Sequence, residues 1–308
     1  MMSILVALTL GLVAAALGGE FFVRGSAALA LRMHIPASVV GATVAAFATS
    51  SPEASVAVNA ALGGLPNIAL GDALGSNIVN VGLILGLALA IKPLQTDTGH
   101  SHPNFLFAAL APILTLLFCL DQKLSFWDGA LMILTFAIWI SLTIRSALRD
   151  RHLRSSEGPP KISSGKRILG ELSTGILLLV LAGRLIVFSA KGITDAFGLD
   201  PFVVGATLVA IGTSVPELAT VLVSRLKGYD EIGLGAVLGS NIFNNLFIVS
   251  IAALIHPISI IVSNVALGAT FGSILVLLTL PNRKRVIPSS RGFILIVVYG
   301  AFVGSFLI

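Results

Sequence analysis

Charge and sulfur are scarce in this chain. Of its 308 residues, 11% are charged and one is a cysteine. A lone cysteine, Cys119, excludes an internal disulfide and any thiolate metal cluster, and it reads as a small buried hydrophobe. The five histidines (His34, His100, His102, His152 and His256) fall at expected helix ends or in loops, and no His-Glu-x-x-His string exists. They read as interfacial residues, and zinc peptidase chemistry has no motif here. So little charge beside 56% apolar residues, with a mean hydropathy of +1.01, excludes an ordinary soluble domain. The net charge of +5 comes mostly from loops, so it speaks to topology and gives no sign of nucleic-acid binding. Strict apolar/polar alternation is also missing, which argues against a membrane barrel. No basic segment precedes the first apolar run, Ile4 to Leu17, and that run continues through Phe21 and Phe22. It is therefore expected to be a retained span rather than a signal peptide.

What is present is a series of apolar runs, several long enough to cross the roughly 30 Å hydrocarbon core of a bilayer. The expectation is an all-α polytopic membrane protein with ten transmembrane helices. The first five are expected at 3–31, 35–62, 68–91, 103–119 and 126–147, and the second five at 168–197, 202–225, 232–255, 258–280 and 291–307. Residues 1–147 and 168–308 form the two halves, joined by a polar, basic linker over 148–167 that carries Pro159-Pro160 and Ser163-Ser164-Gly165. With the N-terminus outside, fifteen Lys and Arg residues fall in inside loops and only Lys123 falls outside. The positive-inside rule then puts both termini outside and the linker in the cytoplasm of a cell-membrane protein.

The halves repeat each other at a shift of 164 residues. Gly41-Ala42-Thr43 falls on Gly205-Ala206-Thr207, Thr49-Ser50 on Thr213-Ser214, and Pro52-Glu53 on Pro216-Glu217. Gly75-Ser76-Asn77-Ile78 falls on Gly239-Ser240-Asn241-Ile242, and Asn80 on Asn244. Five helices per half is an odd number, so the copies enter the membrane with opposite orientation, an architecture of secondary transporters. Helices 2 and 7 should be broken, because each carries a proline followed by a glutamate at membrane depth. Proline takes away a backbone donor, so carbonyls near Ala46, Thr49, Ala210 and Thr213 become available. A membrane-embedded carboxylate must be paired, protonated or bound to a cation.

Around each break stand hydroxyls, Thr49 and Ser50 or Thr213 and Ser214, with Glu53 or Glu217 one turn on. Ser76 and Asn80 share a helix face, as do Ser240 and Asn244, being four apart. Every candidate ligand is a hard oxygen, which selects calcium, sodium or magnesium over zinc or copper. Two ionised glutamates balance one calcium or two sodium ions, which suits an antiporter whose ions displace each other.

These strings resemble the alpha repeats of the cation/calcium exchanger superfamily, nearest its prokaryotic sodium/calcium exchanger branch, over essentially all ten helices. The resemblance implies that Glu53, Glu217, Thr49, Ser50, Thr213, Ser214, Ser76, Ser240, Asn80 and Asn244, with carbonyls at Ala46 and Ala210, line the ion sites. It implies transported calcium and sodium, no cofactor, and no partner beyond inorganic cations and the lipid bilayer; a monomer is compatible with it. The proton/calcium branch carries Gly-Asn-Ala before its glutamate, and the hydroxyls here favour sodium. Proton-coupled exchange, or exchange of another divalent, is the alternative reading, and a passive cation channel is the non-exchanger one. Intramembrane proteolysis finds only Gly71-Asp72 and Tyr229-Asp230, in reversed order, so no enzyme is expected.

Three positions depart from the pattern. Asn244 is an amide where several prokaryotic relatives have Asp, and Ala48 stands where its twin is Gly212. Asp72, whose twin is Ala236, shares a face with Ser76 and Asn80. It is open to reading as a third acidic ligand, a proton site or an attractor on the ion's approach. The plainer reading, preferred here, is a helix N-terminal aspartate near the interface, satisfied by water and the helix dipole. Glu20 and Arg184 are twins of opposite sign, expected to snorkel to their own interfaces rather than pair.

Overall fold

A computed structural model describes residues 1–32, 47, 49–96, 101–151, 164–226 and 230–306. Its helices are α1 (Met2–Arg32), α2 (Ser51–Leu62), α3 (Pro66–Ile91), α4 (Ser101–Phe118), α5 (Phe126–Arg151) and α6 (Gly165–Phe197). They continue with α7 (Pro201–Thr213), α8 (Val215–Leu226), α9 (Asp230–Phe243 running on to Ile255), α10 (Val262–Leu278) and α11 (Ser289–Gly304). The helical order expected from the sequence is present. Among the described residues five helices are long and apolar enough to span a membrane, and α7 with α8 passes as a pair bent by 41°. The apolar parts of α4, α10 and α11 are shorter, at 10–17 residues. The linker narrows from both ends, since α5 runs on to Arg151 and α6 begins at Gly165. The first half of the expected helix 2 lies mostly outside the described residues.

The helix expected at 258 begins instead at Val262, because Ile258–Ser259 is a strand. Four two-residue strands form two antiparallel ribbons that sequence periodicity gives no sign of. Leu94–Gln95 (β1) pairs with Val286–Ile287 (β4), and Lys123–Leu124 (β2) pairs with Ile258–Ser259 (β3). Each ribbon joins a loop of one half to a loop of the other.

The middle of the molecule is α3 and α9. In their most apolar windows 78% of residues are buried, against 17% in α5, whose Trp127, Leu131, Leu134, Ile138 and Leu142 are exposed. Without water in the hydrocarbon layer, apolar surface gains nothing by leaving lipid, so helices associate through close packing and hydrogen bonds. The sequence supplies the close packing as glycine. Gly11, Gly18 and Gly25 line α1 at seven-residue intervals against α6. A Cβ at Gly18 would lie 2.9 Å from the backbone nitrogen of Leu179, and one at Gly175 would lie 2.6 Å from that of Phe22.

The crossing of α3 over α7 is tighter still. A Cβ at Gly75 would fall on the Ala206 carbonyl, and one at Gly205 would stand 2.5 Å from the Ile68 carbonyl. Gly75→Val is expected to force the two backbones apart, at a cost of about 1–3 kcal/mol or more. A fall in melting temperature of the detergent-solubilised protein checks this; unchanged melting would mean that the crossing is loose.

Residues 164 apart touch where the halves meet. Ser273 donates to the carbonyl of Ala109 at 2.8 Å, and Asn241 donates through Nδ2 to the carbonyl of Asn77 at 3.1 Å. Two of the basic loop residues are structural fasteners. Arg225 donates to the carbonyls of Lys92 and Pro93 at the end of α3, and Arg291 to those of Leu278 and Leu280 at the end of α10. A cation at a helix C-terminus also meets the negative end of the helix dipole. Glu20 pairs with Arg24 on its own helix, so it does not pair with Arg184. Cys119 is buried, and His256 is exposed just past α9, as expected.

Candidate functional site

The break in the second half is at Ser214, between α7 and α8, with Pro216 and Glu217 in the first turn of α8. In the first half Ser50 precedes α2, with Pro52 and Glu53 in its first turn. Proline at 216 deprives the Gly212 carbonyl of its i+4 donor. The Ala210 carbonyl is not the one set free. It accepts the Ser214 N–H at 3.2 Å and is reached by the Thr213 hydroxyl at 3.4 Å. Ala46, like Ala48, lies outside the described residues.

Three further departures from regular helix occur nearby. Val79–Leu85 in α3, Gly205–Val209 in α7 and Asn244–Ile248 in α9 are wound as π-helix. Such turns insert a residue and concentrate at functional sites. Two of them begin beside or on a candidate ligand, Asn80 and Asn244.

The two halves interlock at the breaks. Thr49 Oγ1 lies 3.1 Å from Ser240 Oγ, and its twin contact, Thr213 Oγ1 to Ser76 Oγ, is 3.4 Å. Ser50 donates to Ser240 at 2.8 Å and to Glu217 Oε1 at 3.4 Å, and Ser240 donates to the same Oε1 at 3.0 Å. On the other side, Thr213 and Ser76 donate to Asp72 Oδ1 at 3.0 and 3.3 Å.

Asp72 has no exposed surface, so the interfacial reading of this residue is overturned. Six residues into α3, it lies beneath the crossing of α7, where depth along one helix says little about access to water.

Below the hydroxyls lies an asparagine lattice. Asn80 Nδ2 donates to Asn241 Oδ1 at 3.2 Å, and Asn244 Nδ2 donates to Asn77 Oδ1 at 3.2 Å, a twin pair of bonds. With their amino groups so engaged, Asn80 and Asn244 each keep a buried carbonyl oxygen without a donor. Asn77 and Asn241, absent from the expected ligand set, are thus the residues that aim the two amides. The signal for them was present in the paired Gly-Ser-Asn strings. Asn245 adds another buried oxygen without a donor.

Buried polar atoms without partners are rare in folded proteins, and each calls for an explanation. Here they include both Glu53 oxygens, Glu217 Oε2, Asp72 Oδ2, Ser214 Oγ and the amide oxygens of Asn80, Asn244 and Asn245. All are hard oxygens, the donor type that sodium and calcium take. Among the described residues no three acidic or imidazole side chains converge on one point, so hydroxyl and amide oxygens must complete any coordination sphere.

The sequence profile of the family described as sodium/calcium exchanger protein matches residues 3–145 and 169–308. The chain belongs to that family. The match spans both halves and leaves out little beyond the linker. Among relatives, the putative antiporter CaxA of Alkalimonas amylolytica is 33% identical over 288 residues, covering 90% of each protein. The sodium/calcium exchanger MaX1 of Methanosarcina acetivorans is 28% identical, covering 82% of this chain and 83% of its own length. Solved structures of the sodium-calcium exchanger NCX_Mj match with a TM-score of 0.67 at 28% identity, over 98% of both chains. The chain is therefore an integral membrane protein of a cation/calcium antiporter family.

Proposed function

We propose that this protein is a secondary antiporter that exchanges calcium for sodium by alternating access. Its ten spans form two inverted five-helix repeats, 1–147 and 168–308, with helices 2 and 7 broken at the ion site. Glu53 and Glu217 carry the charge that holds calcium. Thr49, Ser50, Thr213, Ser214, Ser76 and Ser240 contribute hydroxyl oxygens, and Asn80 and Asn244 contribute amide oxygens. Both termini face outside and the 148–167 linker is cytoplasmic.

The observation that carries this reading is the group of buried, donorless hard oxygens at the two breaks. Carboxylates left without donors in the dry interior of a membrane need a cation or a proton to neutralise them, and the surrounding hydroxyl and amide oxygens suit a metal cation. Reciprocal contacts between the halves support the inverted repeat, as do the two ribbons. With alternately crossing helices, β1 and β4 belong to loops on one side of the membrane and β2 and β3 to loops on the other. The first helices of the halves, α1 and α6, meet along glycine and are the sliding elements of the cycle.

The test is calcium uptake into proteoliposomes under an outward sodium gradient or an outward proton gradient. Sodium alone is expected to drive uptake. Uptake driven by protons alone would replace sodium as the counter-ion, and calcium moving down its own gradient without either would make the protein a channel.

A further inference from the structure

The two halves of the site are not equivalent, and Asp72 is the reason. In the second half, Glu217 is held by Ser240 and by Ser50. Repeat symmetry would give Glu53 the twin partners, Ser76 and Ser214. Instead Ser76 donates to Asp72, Ser214 Oγ has no partner, and neither serine is bonded to Glu53. Asp72 has no counterpart, since its twin is Ala236.

We propose that Asp72, Thr213 and Ser76 form a separate subsite for a monovalent metal cation, of the hard-oxygen class to which sodium belongs. This inference rests on the sodium-coupled reading above and adds a third carboxylate to it. Thr213 Oγ1 and Ser76 Oγ lie 3.0 and 3.3 Å from Asp72 Oδ1 and 3.4 Å from each other, so two hydroxyl oxygens and a carboxylate oxygen meet at one place. Asp72 Oδ2 and Ser214 Oγ are buried oxygens with no partner to satisfy them. A cation placed beside Thr213 Oγ1, Ser76 Oγ and Asp72 Oδ1 would find these oxygens already gathered within hydrogen-bond distance of one another.

Charge balance favours such an occupant. Glu53, Glu217 and Asp72 lie within electrostatic reach of one another, all fully buried. No basic side chain is buried with them among the described residues. A divalent ion offsets two of the three carboxylates. The third charge is left in a medium where an uncompensated ion costs several kcal/mol. Among the described residues no three acidic side chains form one metal-holding group, which supports a separate position for the third carboxylate.

The test uses purified full-length protein in proteoliposomes, with sodium and calcium each titrated for half-maximal exchange. Asp72→Asn keeps an oxygen acceptor for both hydroxyls and is expected to fold. Its half-maximal sodium concentration should rise about tenfold or more with a shallower sodium dependence. Its half-maximal calcium should move by less than about threefold. Asp72→Glu, which retains the charge, should keep the steep sodium dependence. If Asp72→Asn does not fold, Asp72→Ser reads the same quantities. Unchanged sodium dependence, or calcium weakened as much as sodium, overturns the proposal. Wild-type protein without sodium-driven calcium uptake would sink the sodium reading itself, a result distinguishable from either.

Discussion

Glu53→Gln and Glu217→Gln are each expected to lower calcium uptake by about 100-fold or more, a loss at the upper end of what metal sites suffer on losing even an outer contact. The same substitutions should raise, not lower, the melting temperature of the ion-free protein. Glu53 has little hydrogen-bond support to lose, with only its own backbone and the Thr213 hydroxyl near it, and it is buried within reach of two other carboxylates. Replacing a charge by an amide of the same shape removes like-charge repulsion and the burial of an ion, both unfavourable in a dry interior. Glu217→Gln should gain less, because Ser240 and Ser50 already donate to Glu217. The diagnostic quantity is the stabilisation by added calcium, which should vanish in both variants. A Glu53→Gln protein that is less stable without ions, or that still transports calcium, would mean that Glu53 serves the fold.

The second large effect is expected at Asn241, a residue with no place in a simple count of ligands. Its Oδ1 accepts from Asn80, and its Nδ2 donates to the Asn77 carbonyl. Asn241→Ala therefore frees the Asn80 amide to rotate and leaves a backbone carbonyl without its partner. Two interhelical hydrogen bonds in a membrane are worth about 1–2 kcal/mol together, so the protein should still fold. Calcium affinity should fall about 10- to 100-fold, the usual effect of removing a residue that orients a ligand. Asn77→Ala loses only the side-chain bond from Asn244 and should be milder. Calcium titration of the two variants beside Asn80→Ala decides the matter. Equal affinity in Asn241→Ala and wild type would mean that the amides orient themselves.

Much of this was legible before any coordinates. The 164-residue shift pairs both breaks, both hydroxyl pairs and both glutamates, and the structure brings the described members of that set together from distant parts of the chain. What a repeat cannot reveal is whatever one copy has and the other lacks. Asp72 faces Ala236 in the alignment, so symmetry gave it no role, and helix position suggested a shallow depth that the α7 crossing abolishes. Periodicity assigns a residue to a helix face but does not say what covers that face. That is why Asn77 and Asn241, one residue after the serines, went unread as bridges. The π-helical turns and the two-residue strands have no periodic signature at all. The Ala210 carbonyl, expected to be freed by the proline, accepts the Ser214 N–H just before the bend, a closure of the backbone that the string of residue types does not announce.

The ribbons carry a mechanical consequence. Each stitches the end of a helix in one half to the start of a helix in the other, α3 to α11 through β1 and β4, and α4 to α10 through β2 and β3. Helices tied at their ends cannot tilt independently without tearing a stitch, so these four make a frame that keeps its shape. Among the described residues no ribbon ties α1 or α6, and their long mutual contact runs along glycine, with little side-chain relief to climb. In the proposed cycle the mechanical picture is a stiff chassis holding the ions beside one smooth seam, the α1–α6 contact, where motion meets the least relief.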